Sequence, residues 1–259
     1  MGRARGPARG VAEFVRRGLL RIDKRCERVV KVLAIETSGR DLGVALVGPE
    51  GTVASFGAAG TRRHVELLLP AIDSVLVAAG VMPDELDGIV VDVGPGLFTG
   101  LRAGVAAAKG LALGVGIPLV GLRSTAVLRA ALSDICSSVA AATDVRRGEV
   151  AYELPGDDRA SIGTLDVLFD RVAALDFEEP LVAVGNGWLH EREAIALRFG
   201  PKLRFGGADF ENPSAGVLGR VGLSLLQAGH GVDAGALSVE YLRDADAAIT
   251  WTTRATEGV

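Results

Sequence analysis

Short apolar runs separated by polar turns, with two longer stretches of helical period, dominate the first half of the chain. Residues 32–35 (Val-Leu-Ala-Ile) read as a buried strand, followed by the polar turn Glu36 to Asp41. Residues 42–47 predict a second strand, Pro49-Glu50-Gly51 a second turn and residues 52–56 a third strand, together an antiparallel meander. Apolar side chains at 65, 68, 69, 72, 75, 76 and 79 give residues 64–79 the spacing of an amphipathic helix. Ile89-Val90-Val91 is a β-branched run that ends in Gly94-Pro95-Gly96, and a helix is expected from about Thr99, whose hydroxyl can cap its first amides. Residues 117–121 follow as another strand.

The second half repeats this rhythm weakly. A short helix is expected over 124–132, strands over 137–143 and 149–154 around the charged turn Asp144 to Gly148, and a helix over 165–175. Residues 181–184 read as a buried strand, 188–199 as a helix, and 212–228 as a last long helix, with Asn212-Pro213 capping its start and Gly229 ending it. Strands, helix, strand, helix and strand in that order resemble one half of an actin-like, RNase H-like sheet. The domains expected are a basic extension at 1–31 without fixed structure, a first lobe at 32–136, a second lobe at 137–245 and a tail at 246–259. Helix 212–229 is free to pack back on the first lobe.

The glycine turn has two readings. A strand, a tight turn and a helix N-terminus form an anion site, because backbone N–H groups and the helix dipole both favour negative charge there. The spacing departs from the dinucleotide-binding glycine pattern, since the third glycine comes one residue late, and Gly100-Leu101-Arg102 is not the end of a P-loop. A ligand-free turn is the other reading. Gly100, Gly104 and Ala108 lie four apart on one helical face, which invites very close approach of another backbone. Interior glycine costs a helix about 1 kcal/mol against alanine, so the stripe points to a packing need.

Composition narrows the class. With 259 residues, 49% hydrophobic and 35 of them glycine, the chain suits one or two α/β domains. No charge-free apolar run reaches the ~20 residues of a membrane span. Cys26 and Cys136 alone make neither a disulfide framework nor a zinc knuckle, and a reducing cytoplasm is expected. Residues 1–31 carry ten Lys/Arg against three Asp/Glu, a net +7 that leaves −11 on the rest of a −4 chain. Arg16, Arg17 and Arg21 interrupt any secretory apolar core. The segment reads as a solvated tail, or as a start placed too far upstream, ahead of an arm touching nucleic acid.

Histidines are too scattered for metal hydrolysis: His64, His190 and His230 fall on separate segments, and Leu68 stands four residues after His64. No Gly-x-Ser-x-Gly nucleophile elbow occurs, which argues against a hydrolase. Carboxylates remain. In an actin-like half, Glu36 and Asp144 would face each other across a cleft, with Thr37 and Ser38 as hydroxyl donors, an arrangement able to hold magnesium and phosphate. Ordinary turn residues are the alternative, for these and for Asp92. Arg102 is placed to reach an anion or a partner carboxylate.

Leu33-Ala34-Ile35-Glu36-Thr37-Ser38, the RRHVELLLPAI stretch at 62–72, Gly94 to Arg102, the Asp144 to Val150 segment and Tyr241-Leu242-Arg243 occur in the order found in the bacterial TsaB (YeaZ) family. The chain resembles that family over residues 32–245. The resemblance implies an ASKHA (actin-like ATPase) fold of two RNase H-like lobes, with mixed sheets flanked by helices. It also implies a cytoplasmic, non-catalytic dimerisation subunit of the machinery that makes threonylcarbamoyladenosine next to the tRNA anticodon. Expected partners are a TsaD-like catalytic subunit, a TsaE-like ATPase, tRNA through the complex, and a second copy when alone. No cofactor is expected for the chain itself, with ATP or ADP and Mg2+ belonging to the complex. TsaD-like members carry two histidines four apart on the first helix; here the second is Leu68. Glu36 replaces the family's usual Asp. Glu36, Thr37, Ser38, Gly94, Gly96, Thr99 and Asp144 are the nucleotide or anion candidates. His64, Leu68, Ile72, Val75, Gly100, Arg102, Gly104, Ala108 and Leu111 are the expected partner face. A stand-alone ATP-binding phosphotransferase or ATPase of the same fold is the competing reading.

Overall fold

The computed structural model describes residues 30–60, 63–176 and 179–240. The basic extension up to residue 29, the start of the RRHVELLLPAI stretch and the Tyr241-Leu242-Arg243 motif lie outside them. The first sheet contains β1 (Val32–Glu36), β2 (Leu42–Gly48), β3 (Gly51–Ala58), β4 (Gly88–Gly94) and β5 (Leu119–Arg123), in the order β3-β2-β1-β4-β5. β1 pairs antiparallel with β2 and parallel with β4, so it is central. Covered on both faces, it is apolar at every position but its last, unlike edge strand β3, whose side chains are exposed or half-buried.

Helices α1 (His64–Ala79) and α2 (Phe98–Val115) cover one face. Leu68, Ile72, Val75, Val105 and Ala108 close a core there with Leu33, Ile35, Val44 and Val91. α2 starts one residue before Thr99, and no side chain caps it. The other face is covered from far along the chain by α6 (Ala215–Gln227), whose Leu218 and Leu223 pack with Val32, Ala45 and Val90. A Cβ at Gly219 or Gly222 would collide with Val47 or Val90, so α6 lies directly on the sheet. The segment after α6 then runs along β5. Val232 exchanges both backbone hydrogen bonds with Leu119, and Glu240 N–H donates to the Val93 carbonyl at 2.8 Å.

The second sheet, β6 (Val139–Asp144), β7 (Glu149–Glu153), β8 (Ser161–Thr164), β9 (Leu181–Val184) and β10 (Leu203–Phe205), has the order β10-β9-β6-β7-β8. Read from the other end, this is the strand order of the first. β8 and β10 are absent from the sequence reading because Ser161-Ile162-Gly163-Thr164 and Leu203-Arg204-Phe205 are too short to show a period. α4 (Leu165–Ala173) and α5 (Arg192–Phe199) belong to this lobe, and residues 186–191 form a 3-10 helix where a longer α-helix was expected. α3 (Ser124–Ala130) follows β5 directly, yet Leu128 packs with Val139, Ala141 and Val184 of the second sheet, so this helix bridges the lobes. Among the described residues no helix is long and apolar enough to cross a membrane.

Candidate functional site

The residues singled out in the sequence converge where β1 and β4 end. Parallel pairing aligns Ile35 with Val91, bringing Glu36 and Asp92 to adjacent strand ends. Five polar side chains are buried here: Glu36, Thr37, Ser38, Asp92 and Ser124. Glu36 Oε1 accepts from the Ser38 N–H at 2.7 Å and the Ser38 hydroxyl at 2.6 Å. Asp92 Oδ1 accepts from the Gly94 N–H and the Ser124 hydroxyl, both at 2.7 Å. The other oxygens, Glu36 Oε2 and Asp92 Oδ2, meet no protein N–H or O–H donor.

Both carboxyls are shifted toward the protonated form. Burial first, and then the neighbouring Asp92, push the Glu36 carboxyl well above the usual carboxylate range. Burial raises Asp92 as well, opposed by hydrogen bonds from Glu36, Gly94 and Ser124. Two carboxylates this buried and this close disfavour joint ionisation.

The glycine turn serves the chain's own backbone. A Cβ at Gly96 would collide with the Ser38 carbonyl, one at Gly100 with the Thr37 carbonyl, and one at Gly104 with the Thr37 hydroxyl. Leu97 N–H donates to the Ser38 carbonyl at 2.6 Å, and Gly94 N–H is already held by Asp92. The Gly94 and Leu97 amides are therefore engaged within the chain, and the space beside Gly96, Gly100 and Gly104 is filled by the β1–β2 turn. Thr99 is exposed on the first turn of α2. Arg102 stacks over the Phe98 ring, 3.7 Å from its centroid, rather than reaching into the site.

Asp144 is held by neighbours from its own lobe. Its N–H donates to Asn186 Oδ1 at 2.8 Å and its Oδ1 accepts from Arg146 N–H at 2.7 Å. Between the two turns stand Asn186 and Asn212: Asn186 Nδ2 donates to Asn212 Oδ1 at 3.0 Å, and Asn212 Nδ2 to Asp41 Oδ2 at 2.8 Å. Asn212 thus ties turns together instead of capping the last helix. Glu36 is buried with its Oε1 held by Ser38, whereas Asp144 is half-buried beside Asn186. Among the described residues no group of three or more His, Cys, Asp or Glu could hold a metal ion.

The expected partner face also needs correction. Leu68, Ile72, Val75, Gly100, Gly104 and Ala108 are buried in the first lobe's own body, and Leu111 is half-buried against the core. His64 is buried, its Nε2 3.2 Å from the Asp41 carbonyl. The exposed apolar side chains of the two helices lie away from this core. Val65, Leu69 and Val77 of α1 are exposed, as are Phe98 and Leu113 of α2, and exposed Ala106 and Gly110 keep the outer side of α2 low. Spacing had identified which residues share a face; it carried no signal for which face turns inward. Neither Asn186 nor Ser124 stood out in the sequence, although Gly185-Asn186-Gly187 after β9 echoes Gly94-Pro95-Gly96 after β4.

Two mixed sheets of one strand order, flanked by helices and meeting along a seam, define an ASKHA-type, actin-like protein of two RNase H-like lobes. The family model described as TsaD, tRNA N6-adenosine threonylcarbamoyltransferase, matches residues 58–179. The tRNA threonylcarbamoyladenosine biosynthesis protein TsaB of Escherichia coli (strain K12) is 30% identical over 190 residues, 67% of this chain and 81% of that protein, and the chain belongs to the TsaB family. TsaB of Bacillus subtilis (strain 168) is 28% identical over 232 residues, 85% of this chain and 97% of that protein. The solved structure of YeaZ from Pseudomonas aeruginosa aligns with a TM-score of 0.68 at 25% identity, over 82% of this chain and all (100%) of that one.

Proposed function

We propose that this chain acts in tRNA threonylcarbamoyladenosine biosynthesis as a non-catalytic dimerisation and scaffold subunit that pairs with a TsaD-like transferase. The observation that carries the reading is the contrast between the interior of the first lobe and its surface. The polar cluster at Glu36 and Asp92 is buried beneath the chain's own turns, while α1 and α2 leave Val65, Leu69, Val77, Phe98 and Leu113 exposed. Single exposed apolar residues are ordinary on a protein surface; five of them on two packed helices support reading these helices as the docking side. The names of the TsaB relatives and the match to a TsaD model support the pathway and the partner. Two helices from each partner would bury a standard interface of about 1,600 Å². A TsaE-like ATPase and tRNA join through the complex, ATP or ADP and Mg2+ are handled there, and a second copy of the chain occupies the same face in isolation.

Co-purification with the TsaD-like partner, followed by a tRNA modification assay omitting each subunit in turn, tests this. Leu69→Arg, on the exposed side of α1, should abolish complex formation and modification while the isolated protein melts as before. Undiminished pairing by Leu69→Arg would place the interface elsewhere. Substrate turnover by the isolated chain at enzyme-like rates would favour the phosphotransferase or ATPase reading instead.

A further inference from the structure

One end of the first lobe gathers the carboxyl ends of three helices. α1 stops at Ala79 and Gly80, and the chain returns through residues 81–87 to β4. α2 stops at Val115 and Gly116 and leads through Pro118 into β5. α6 comes down on the same end, where Leu226 fills the space beside Gly88 and Val232 bonds to Leu119. A helix carboxyl end carries about half a negative charge, which a lysine or arginine in the last turn favourably answers. None of these three helices has a basic residue there. Acids add to the same field: Asp84, Glu85 and Asp233 are exposed and Asp87 is half-buried. Met82 and Val232 are exposed apolar side chains on the same end.

β1 begins here as well. Lys31 N–H donates to Asp87 Oδ2 at 2.8 Å, its carbonyl accepts from the Asp87 N–H at 2.9 Å, and its ammonium lies 3.7 Å from Glu85 Oε1. The segment that precedes β1 is thus delivered onto the acidic end. Residues 1–29 carry nine Lys/Arg against three Asp/Glu. Within them Val11, Val15, Leu19 and Ile22 recur every three or four residues, with arginines between. Cations and spaced apolar groups complement a surface on which acids and helix ends surround Met82 and Val232.

We propose that residues 1–29 dock on this end of their own first lobe and bring cations to the carboxyl ends of α1, α2 and α6. Tethering favours this occupant over a separate chain, because the segment starts beside Asp87 and its effective concentration at the face is high. The face also competes with phosphate for the same arginines, so contact with RNA is the opposing outcome.

The test uses the full chain carrying Cys26→Ser, Cys136→Ser and a nitroxide on Ala12→Cys, and reads amide line broadening by NMR. At about 0.1 M salt, where charges act over about 10 Å, the amides of Gly80, Gly116 and Gly229 should lose most of their intensity. Gly163, in the second sheet, should keep its own. At about 1 M salt, where that reach falls to about 3 Å, the three amides should recover. Asp84→Asn with Glu85→Gln, both at exposed positions, should weaken the broadening at low salt. Sharp Gly80, Gly116 and Gly229 signals at low salt would overturn the docking, as would broadening that responds neither to salt nor to the acid substitutions. If those three amides stay sharp and the signals of residues 1–29 broaden on adding tRNA, the segment is an RNA contact and the proposal falls.

Discussion

The turn that closes β4 and the turn that closes β9 are the same device filled with opposite chemistry. In the first lobe Gly94-Pro95-Gly96 presses on Ser38; in the second Gly185-Asn186-Gly187 presses on Ala142 and Thr143. The parallel pairings set the correspondence. Val91 pairs with Ile35 and lies three residues before Gly94, just as Val182 pairs with Val139 and lies three before Gly185. Asp92 and Glu36 then correspond to Ala183 and Ala140, both buried. The acid pair of one lobe is thus an alanine pair in the other, and Asp144, which the sequence set against Glu36, is four residues farther along β6 than Glu36's counterpart. Backbone geometry has been kept in both lobes, while the means of holding charged chemistry between them has not. Such a molecule is suited to presenting surfaces.

Writing the acid into the second lobe is the harshest way to break this comparison. Ala183→Asp would bury a carboxyl with no proton-sharing partner, and we expect it to destabilise the fold by about 4 kcal/mol, read by urea denaturation at pH 7. Gly104→Leu comes next, because the first lobe lays the long helix α2 over its turn. The added side chain would meet the Thr37 hydroxyl, and the expected loss is about 3 kcal/mol, seen as a lower melting temperature. A Gly104→Leu chain with unaltered melting would mean that α2 can lift from the turn without penalty.

The mildest change, Glu36→Gln, sharpens the comparison through pH. Folding raises the Glu36 pKa above its ordinary 4.5, so the folded chain keeps a proton that the unfolded chain releases. The stability this supplies is complete below about pH 4.5 and is lost as pH rises through the raised pKa. Glutamine keeps an acceptor for Ser38 and offers Asp92 an N–H that never titrates. The fall in stability as pH rises above about 4.5 should therefore be smaller in Glu36→Gln than in the parent, measured by denaturant midpoints of the two proteins in parallel.

How much of this was legible depended on the range over which each feature is determined. The three-strand meander, α1 and the strand ending at Gly94 are local patterns, and period alone placed them within a few residues. The stripe of Gly100, Gly104 and Ala108 was legible as a close approach, but its partner, Thr37, lies in another segment, and spacing carries no information about what lies opposite. The acid pair needed the β1–β4 register, and a hydrogen bond joins Asp41 to Asn212, far apart in sequence, through side chains that read locally as a turn and a helix cap. The shared topology of the lobes was hidden for a related reason. Pairing order survives the exchange of carboxylates for alanines, whereas residue similarity does not.

The docking of α6 on the first sheet has a consequence for biosynthesis. β1, β2 and β4 emerge early from the ribosome, but the helix that covers their second face is among the last described segments to be made. The first lobe must wait, half-clothed, until the carboxyl-terminal part has left the tunnel. The second sheet is contiguous in sequence and completes itself sooner, so the lobe translated later is the one able to fold first.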